Sequence, residues 1–244
     1  MIKLGLIGHP IAHSRSPELF AEISRTEGVP LSYNLFPREE ISRSELEFLF
    51  QQNQLTGLNV TLPLKQKIMP LLDVVDDKAQ AIGAVNTVVL EDGKFVGYNT
   101  DYAGIAASLK QLGPAPQRAL VLGNGGAAQA VKAVLKDSGI PFTVVARRGG
   151  DVTFDALTAA EAGACHWWIQ CTPVGNGLGP VQALALPYDE LSSKYSIFDL
   201  IYSPEITSTM QSGISRGAKV LGGMLMLKEQ ARESWTFFSR AYYK

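Results

Sequence analysis

The sequence predicts an α/β chain of two domains, and three observations carry that reading. Apolar strand-like runs alternate with amphipathic stretches along nearly the whole chain, the pattern of mainly parallel sheets. Near the middle, residues 87–90, Asp92-Gly93 and residues 95–97 read as an antiparallel hairpin, because Asp-Gly suits a tight turn with positive φ. Beyond the hairpin the alternation restarts with a strand, a glycine-rich turn and a helix.

Taken in order, the first strand is expected at residues 2–7. Ser16 then opens a helix as its N-cap, with Pro17 at the first helical position. A second strand follows at 31–36. Ser42 with Glu45 three residues later makes a capping box for a helix carrying Leu46, Leu49 and Phe50. A short strand at 57–60 leads towards the hairpin, which marks a sheet edge or the end of a domain. The domain break is expected near residues 98–104, since one αβ unit ends there and a second begins. In the second domain, strands are expected at 120–122, 142–146, 167–170, 197–200 and 219–221. A helix fills 125–136 and ends at Gly139, and residues 224–240 are helical by periodicity. The Gly- and Pro-containing stretch 174–187 reads as a loop bordering a cleft.

Bulk composition narrows the function classes. With 244 residues the chain suffices for one large domain or two modest ones. Its 22 Lys and Arg balance 23 Asp and Glu, which gives no electrostatic reason to expect nucleic acid or an anionic membrane as partner. No apolar stretch approaches the roughly 18–20 residues that span a bilayer. The start of the chain lacks the basic segment and small-residue cleavage site of a targeting signal. Cys165 and Cys171 are too few for a disulfide framework and lie outside zinc-ligand spacing. They are expected to be reduced thiols near a core strand, in a cytoplasmic protein without a metal.

The restart carries the nucleotide signal. The apolar run ending at Leu122 enters Gly123-Asn124-Gly125-Gly126-Ala127-Ala128 and then a helix, the order a dinucleotide pyrophosphate requires. Gly123 permits the sharp turn and Gly125 lets phosphate oxygens approach the backbone. The helix N-terminus behind them offers N–H groups without intrahelical partners. Ala128 takes the third small position, where helix packs on sheet. An NAD site would place an acid at the end of the next strand, whereas this chain has Ala146-Arg147-Arg148. Two guanidinium groups suit the 2′-phosphate of NADP; the plainer reading is a solvated basic loop.

Three segments of the first half are too polar, at strand ends, for plain packing. Ser14 and Ser16 place two hydroxyls at a helix N-terminus, suited to a carboxylate. Residues 59–65 deliver Asn59, Thr61 and Lys65 after an apolar strand. Residues 83–87 and 97–101 end in small polar groups beside the hairpin and could equally be turn residues.

Taken together these segments resemble the shikimate dehydrogenase family, which includes quinate-using members. The matching motifs run in order: Gly8-His9-Pro10, His13-Ser14-Arg15-Ser16-Pro17, residues 59–65, 82–87, Asn99-Thr100-Asp101 and 123–127. They continue through Cys171-Thr172-Pro173-Val174-Gly175, Asp199-Leu200-Ile201-Tyr202 with Pro204, and residues 223–230. The resemblance implies an N-terminal substrate domain of residues 1–100 completed by the last helix within 223–244, and a Rossmann-type NADP domain of 101–222 inserted between, with a cleft between the two. It implies that Lys65 and Asp101 are the catalytic pair, that Ser14 and Ser16 bind the substrate carboxylate, and that Thr61, Asn86 and Gln230 meet ring hydroxyls. Tyr202 would line the same pocket. Gly123, Asn124, Gly125, Gly126, Ala127, Arg147, Arg148, Thr172 and Gly223 would bind NADP. The implied reaction is reversible reduction of 3-dehydroshikimate to shikimate with NADPH, in aromatic amino-acid biosynthesis, by a monomer or homodimer.

The chain departs from the family pattern at Ala146, usually Asn, at Arg148, usually a small hydroxyl residue, and at Phe20, usually polar. Three rival readings follow: a quinate or dual-specificity dehydrogenase using NAD, a non-catalytic dinucleotide-binding regulator, and a folate-linked dehydrogenase of similar architecture. The last leaves Ser14, Ser16 and Asn86 unexplained.

Overall fold

Two sheets, each built within its own stretch of chain, organise the computed structural model, which describes residues 1–177 and 183–243. One compact unit comprises Met1–Asp101 and Lys228–Lys244, the other Tyr102–Leu227.

Unit 1 contains β1 (Ile2–Gly8), α1 (Ser16–Glu27), β2 (Leu31–Pro37), α2 (Arg43–Asn53), β3 (Gly57–Val60), α3 (Leu64–Lys67), β4 (Val74–Val75), α4 (Asp77–Ile82), β5 (Thr87–Glu91) and β6 (Lys94–Tyr98). Its six strands run in the order β2-β1-β3-β5-β6-β4. The first three pair in parallel, β5 lies antiparallel to β3 and β6, and β4 pairs in parallel with β6. Asp92 and Gly93 take positive φ of 49° and 77°, as the hairpin turn demands. The hairpin is therefore one strand short of the edge, which two-residue β4 occupies. The capping box at Ser42 and Glu45 forms as expected.

Helix α1 begins differently from its sequence signal. Arg15, not Ser16, is the N-cap, and Ser16 is already helical. Near-helical dihedrals at Arg15 let its carbonyl accept from Leu19, while the Ser14 hydroxyl accepts from the Ser16 amide. The Ser14 hydroxyl thus satisfies the first helical amide, and the N-cap falls one residue earlier than predicted.

Unit 2 contains most of α5 (Asp101–Leu112), then β7 (Ala119–Leu122), α6 (Gly126–Asp137), β8 (Phe142–Val145), α7 (Ala159–Gly163), β9 (Trp167–Gln170), β10 (Ser196–Asp199), α8 (Ser208–Ile214), β11 (Lys219–Leu221) and the first turn of α9 (Met224–Tyr243). All its strands pair in parallel, in the order β11-β10-β9-β7-β8. The chain moves from β7 to β8 on one side and then restarts at β9 on the other. That reversal makes the carboxyl ends of β7 and β9 the topological switch point, where open α/β sheets bind ligands. Both strands are buried along their whole length, as parallel strands should be. The expected loop at 174–187 includes residues 178–182, which lie outside the described residues.

The return to unit 1 falls at Lys228, inside α9, rather than at Gly223. The first turn of α9 stays with unit 2 because it packs on α5, where a Cβ added at Gly104 would lie 2.4 Å from the Met226 carbonyl oxygen. Further along α9, Phe238 is fully buried against β3. A Cβ at Gly57 would meet its ring at 2.2 Å. Gly57→Ala should therefore lower unfolding stability by about 1–3 kcal/mol through overpacking, read as a reduced denaturant midpoint with an unchanged slope.

Candidate active site

The polar centre of unit 1 forms where three chain segments converge. Strand β3 ends at Val60 and turns through Thr61 into α3, which holds Lys65 in its one turn. The Lys65 carbonyl accepts from the Val85 amide, bringing the segment before β5 alongside. Strand β6 ends at Tyr98, and Asn99 and Thr100 lead to Asp101, the first residue of α5. Lys65 Nζ donates to Asp101 Oδ2 at 2.6 Å, with the lysine side chain 17% and the carboxylate 3% exposed.

Asn86 binds the other carboxylate oxygen. Its Nδ2 faces three acceptors that share its two hydrogens, Asp101 Oδ1 at 2.9 Å, Thr100 Oγ1 at 3.0 Å and Gln230 Oε1 at 3.0 Å. Its Oδ1 accepts from the Thr100 amide at 2.7 Å and from the Thr87 hydroxyl at 3.1 Å. The opposed donors and acceptors fix the amide orientation. Each carboxylate oxygen of Asp101 thus has its own fixed donor, and Asn86 links the pair to α9 through Gln230.

The network extends to residues the sequence left without a role. Ser234, one turn beyond Gln230 on α9, approaches Thr87, Thr100 and Asn59, each at 3.0 Å. Asn59 accepts at Oδ1 from the Tyr33 hydroxyl at 2.9 Å. Burial pushes the Tyr33 phenol well above its ordinary pKa, and the Ser16 hydroxyl beside it opposes that shift. Ser14 Oγ in turn donates to Ser16 Oγ at 3.2 Å. Ser14, Ser16, Asn59, Asn86, Asp101, Lys65 and Gln230 thereby form one connected polar group. Phe20 stacks on the Tyr33 ring with centroids 4.5 Å apart, so the departure at position 20 supports the tyrosine. The spacing of Gln230 and Ser234 at one helical turn was a usable signal for Ser234. Nothing in the sequence pointed to Tyr33. Thr61 is not drawn into this group: its amide donates to Ile7 and its carbonyl accepts from Leu64, both outside the group.

In unit 2, β7 runs into a turn at Gly123, whose φ is 109°. A Cβ there would also sit 3.0 Å from Thr172 Cγ2, so glycine is required by conformation and by crowding from the end of β9. Gly125 is the N-cap of α6, with no side-chain cap and nothing within 4 Å of an added Cβ. Gly126 and Ala127 form the first helical residues, and Ala128 is fully buried against the sheet. An uncapped helix start with open space before it, at the switch point, fits a dinucleotide pyrophosphate. Arg147 and Arg148 follow β8, both exposed, and neither enters an ion pair among the described residues.

Thr172 caps its own turn, its amide and hydroxyl donating to Gln170 Oε1. Gly223 has a packing reason as well: a Cβ there would lie 2.1 Å from the Leu200 carbonyl oxygen. Tyr202 lies in unit 2, half-buried, beyond the end of β10. Asp199 at that strand end accepts from Thr207 Oγ1 and the Ile201 amide, and burial pushes its carboxyl up to about 6. Both cysteines are free thiols, and burial raises the pKa of each. Among the described residues no cluster of His, Cys, Asp or Glu is arranged to hold a metal, and no helix is long and apolar enough to cross a membrane.

One unit with a doubly wound parallel sheet and a glycine turn at its switch point, in the same chain as a unit bearing a shielded ammonium–carboxylate pair, defines a dinucleotide-dependent oxidoreductase. Residues 6–88 match the model of the shikimate dehydrogenase substrate binding domain. The NADP(+) shikimate dehydrogenase of Desulforamulus reducens is 32% identical over 262 residues, spanning 96% of this chain and 90% of that protein. Among solved structures, shikimate 5-dehydrogenase of Thermus thermophilus in complex with NADP(H) and shikimate superposes with a TM-score of 0.82 at 30% identity, over 98% of this chain and 94% of that one. Quinate dehydrogenase of Corynebacterium glutamicum in complex with NAD gives 0.83 at 25% identity, over the same shares. The chain belongs to the shikimate dehydrogenase family.

Asn86 is 2% exposed and saturated by protein partners. Asn86→Ala would strand the Thr100 amide and several side chains without partners, at a cost of about 2–4 kcal/mol. Thermal unfolding should show a midpoint lowered by on the order of 5–15 °C.

Proposed function

We propose that the chain catalyses the reversible reduction of 3-dehydroshikimate to shikimate with NADPH, acting in the cytoplasm in aromatic amino-acid biosynthesis. The observation that carries the reading is the Lys65–Asp101 pair at 2.6 Å, braced by Asn86 within the serine-lined polar group of unit 1. On this reading residues 1–101 and 228–244 form the substrate domain and residues 102–227 the NADP domain.

NADPH, when bound, supplies the hydride to the ketone carbon. Lys65 as ammonium stabilises the charge that develops on the ketone oxygen and gives that oxygen its proton; in the reverse direction the neutral amine accepts a proton from the alcohol. Asp101 holds Nζ in place and presents carboxylate to a neighbouring ring hydroxyl. Ser14 and Ser16, joined at the start of α1, take the substrate carboxylate. Thr61, Asn86 and Gln230 meet ring hydroxyls; a substrate contact at Asn86 exchanges with one of its present partners. A pocket of matched donors and acceptors rejects analogues that lack a hydroxyl, because its buried groups are then left unpaired.

The backbone of Gly123, Asn124, Gly125, Gly126 and Ala127 holds the pyrophosphate, and Arg147 with Arg148 the 2′-phosphate. Thr172 borders the turn, while Tyr202 and Gly223 take their substrate and cofactor roles from the family pattern.

Initial rates with shikimate or quinate, each with NADP+ or NAD+, test this directly when measured on the wild type and on Lys65→Ala. The expected result is highest kcat/KM for shikimate with NADP+, and a drop of about a hundred- to ten-thousandfold in the variant with NADP+ binding retained. Preference for quinate with NAD+, or unchanged turnover in Lys65→Ala, would contradict the proposal.

A further inference from the structure

We infer that Asn124 is a positioning residue for cofactor choice: its side chain ties the glycine turn to the arginine loop, so that the loop is preset to receive a 2′-phosphate. The inference rests on the NADP reading above and concerns how this particular chain achieves it.

Asn124 Nδ2 donates to the Gly149 carbonyl at 2.6 Å, bridging 25 positions of sequence between the turn after β7 and the loop after β8. Its Oδ1 accepts from Lys132 Nζ at 2.7 Å and Gln129 Nε2 at 3.2 Å, both from α6. With two donors against the oxygen, the amide nitrogen must face Gly149. Asn124 therefore enters the tie in a single orientation, braced from the helix behind the turn.

The loop itself needs such a tie. Its base is fastened to β8, where Val144 donates to the Asp151 carboxylate at 2.8 Å and Asp151 returns its amide to the Val144 carbonyl at 2.8 Å. Its tip turns through Gly149 at φ 68°, a conformation other residues rarely adopt. Ala146, buried at the loop's start, has no polar side chain with which to close it. Arg147 and Arg148 are exposed between base and tip. Asn124 fastens the tip next to them, so the two guanidinium groups are carried on a loop closed at both ends. Binding then loses less conformational freedom, and the gain falls on the part of the cofactor the loop meets. The pyrophosphate, held by backbone at the turn, gains little.

Lys132 contributes as the brace. Burial draws its ammonium pKa downward, and the neighbouring Asp151 carboxylate opposes that shift.

The test is direct binding of NADP+ and NAD+ by isothermal titration calorimetry to the full-length wild type, Asn124→Ala and Lys132→Met, with thermal unfolding recorded for each. Asn124→Ala is expected to weaken NADP+ about tenfold and NAD+ less than about twofold; Lys132→Met should shift the same ratio in the same direction by less. Equal weakening of both cofactors, or a ratio of NADP+ to NAD+ affinity unchanged in Asn124→Ala, overturns the inference. A wild type that binds the two cofactors equally overturns the NADP reading beneath it, which is a separate and recognisable result.

Discussion

The buried carboxylate of Asp101 is the constraint on which the rest of unit 1 depends. It is 2% exposed, and removing a charge from water costs several kcal/mol unless donors are already in place. Lys65 and Asn86 supply them, one to each oxygen. To bring them there, the end of β3, the segment before β5 and the end of β6 must converge. The mixed sheet achieves this by placing β5 antiparallel between β3 and β6. Ser234 and Gln230 then draw α9 onto the same centre, so the chain's last helix completes a site begun by its first strands.

Unit 2 obeys a different rule. Its sheet is parallel throughout, so polar side chains are scarce within it, and chemistry collects at strand ends. Gly123 and Thr172 meet there because β7 and β9 are neighbours across the reversal of strand order. The same crowding that leaves only room for glycine at 123 keeps the turn close to the end of β9.

The parts of this architecture legible in the sequence were those fixed by local physics. Gly123 must be glycine for its φ, Asp92-Gly93 for its turn, and Ser42 with Glu45 for its box; all three signals are contained within a few residues. The glycine turn was readable as chemistry from its place between a strand and a helix, whereas the roles of Lys65 and Asp101 came from the family resemblance, because a lone lysine or a turn aspartate carries no such signal by itself. What sequence reasoning missed depends on distant chain. Tyr33, Thr87, Thr100 and Ser234 look like ordinary strand, turn and helix residues until folding brings them to Asn59 and Asn86. Strand β4, at two residues, is too short to carry a period, and α4, α5, α7 and α8 were not singled out as elements. The α1 start was displaced by one residue because the Arg15 carbonyl accepts the first intrahelical bond, from Leu19, and the Ser14 hydroxyl takes the Ser16 amide. The Asn124 tie exists only once a loop 25 residues later closes upon it.

The central claim is that Lys65 and Asp101 act as one device, an ammonium held by a carboxylate that is itself held. A double-mutant cycle on kcat/KM for shikimate oxidation, using Lys65→Met, Asp101→Asn and the combined variant, tests it most directly. The account predicts strongly non-additive losses, with the combined variant within about threefold of the more damaged single variant. Losses that multiply would show two independent contributions and contradict it.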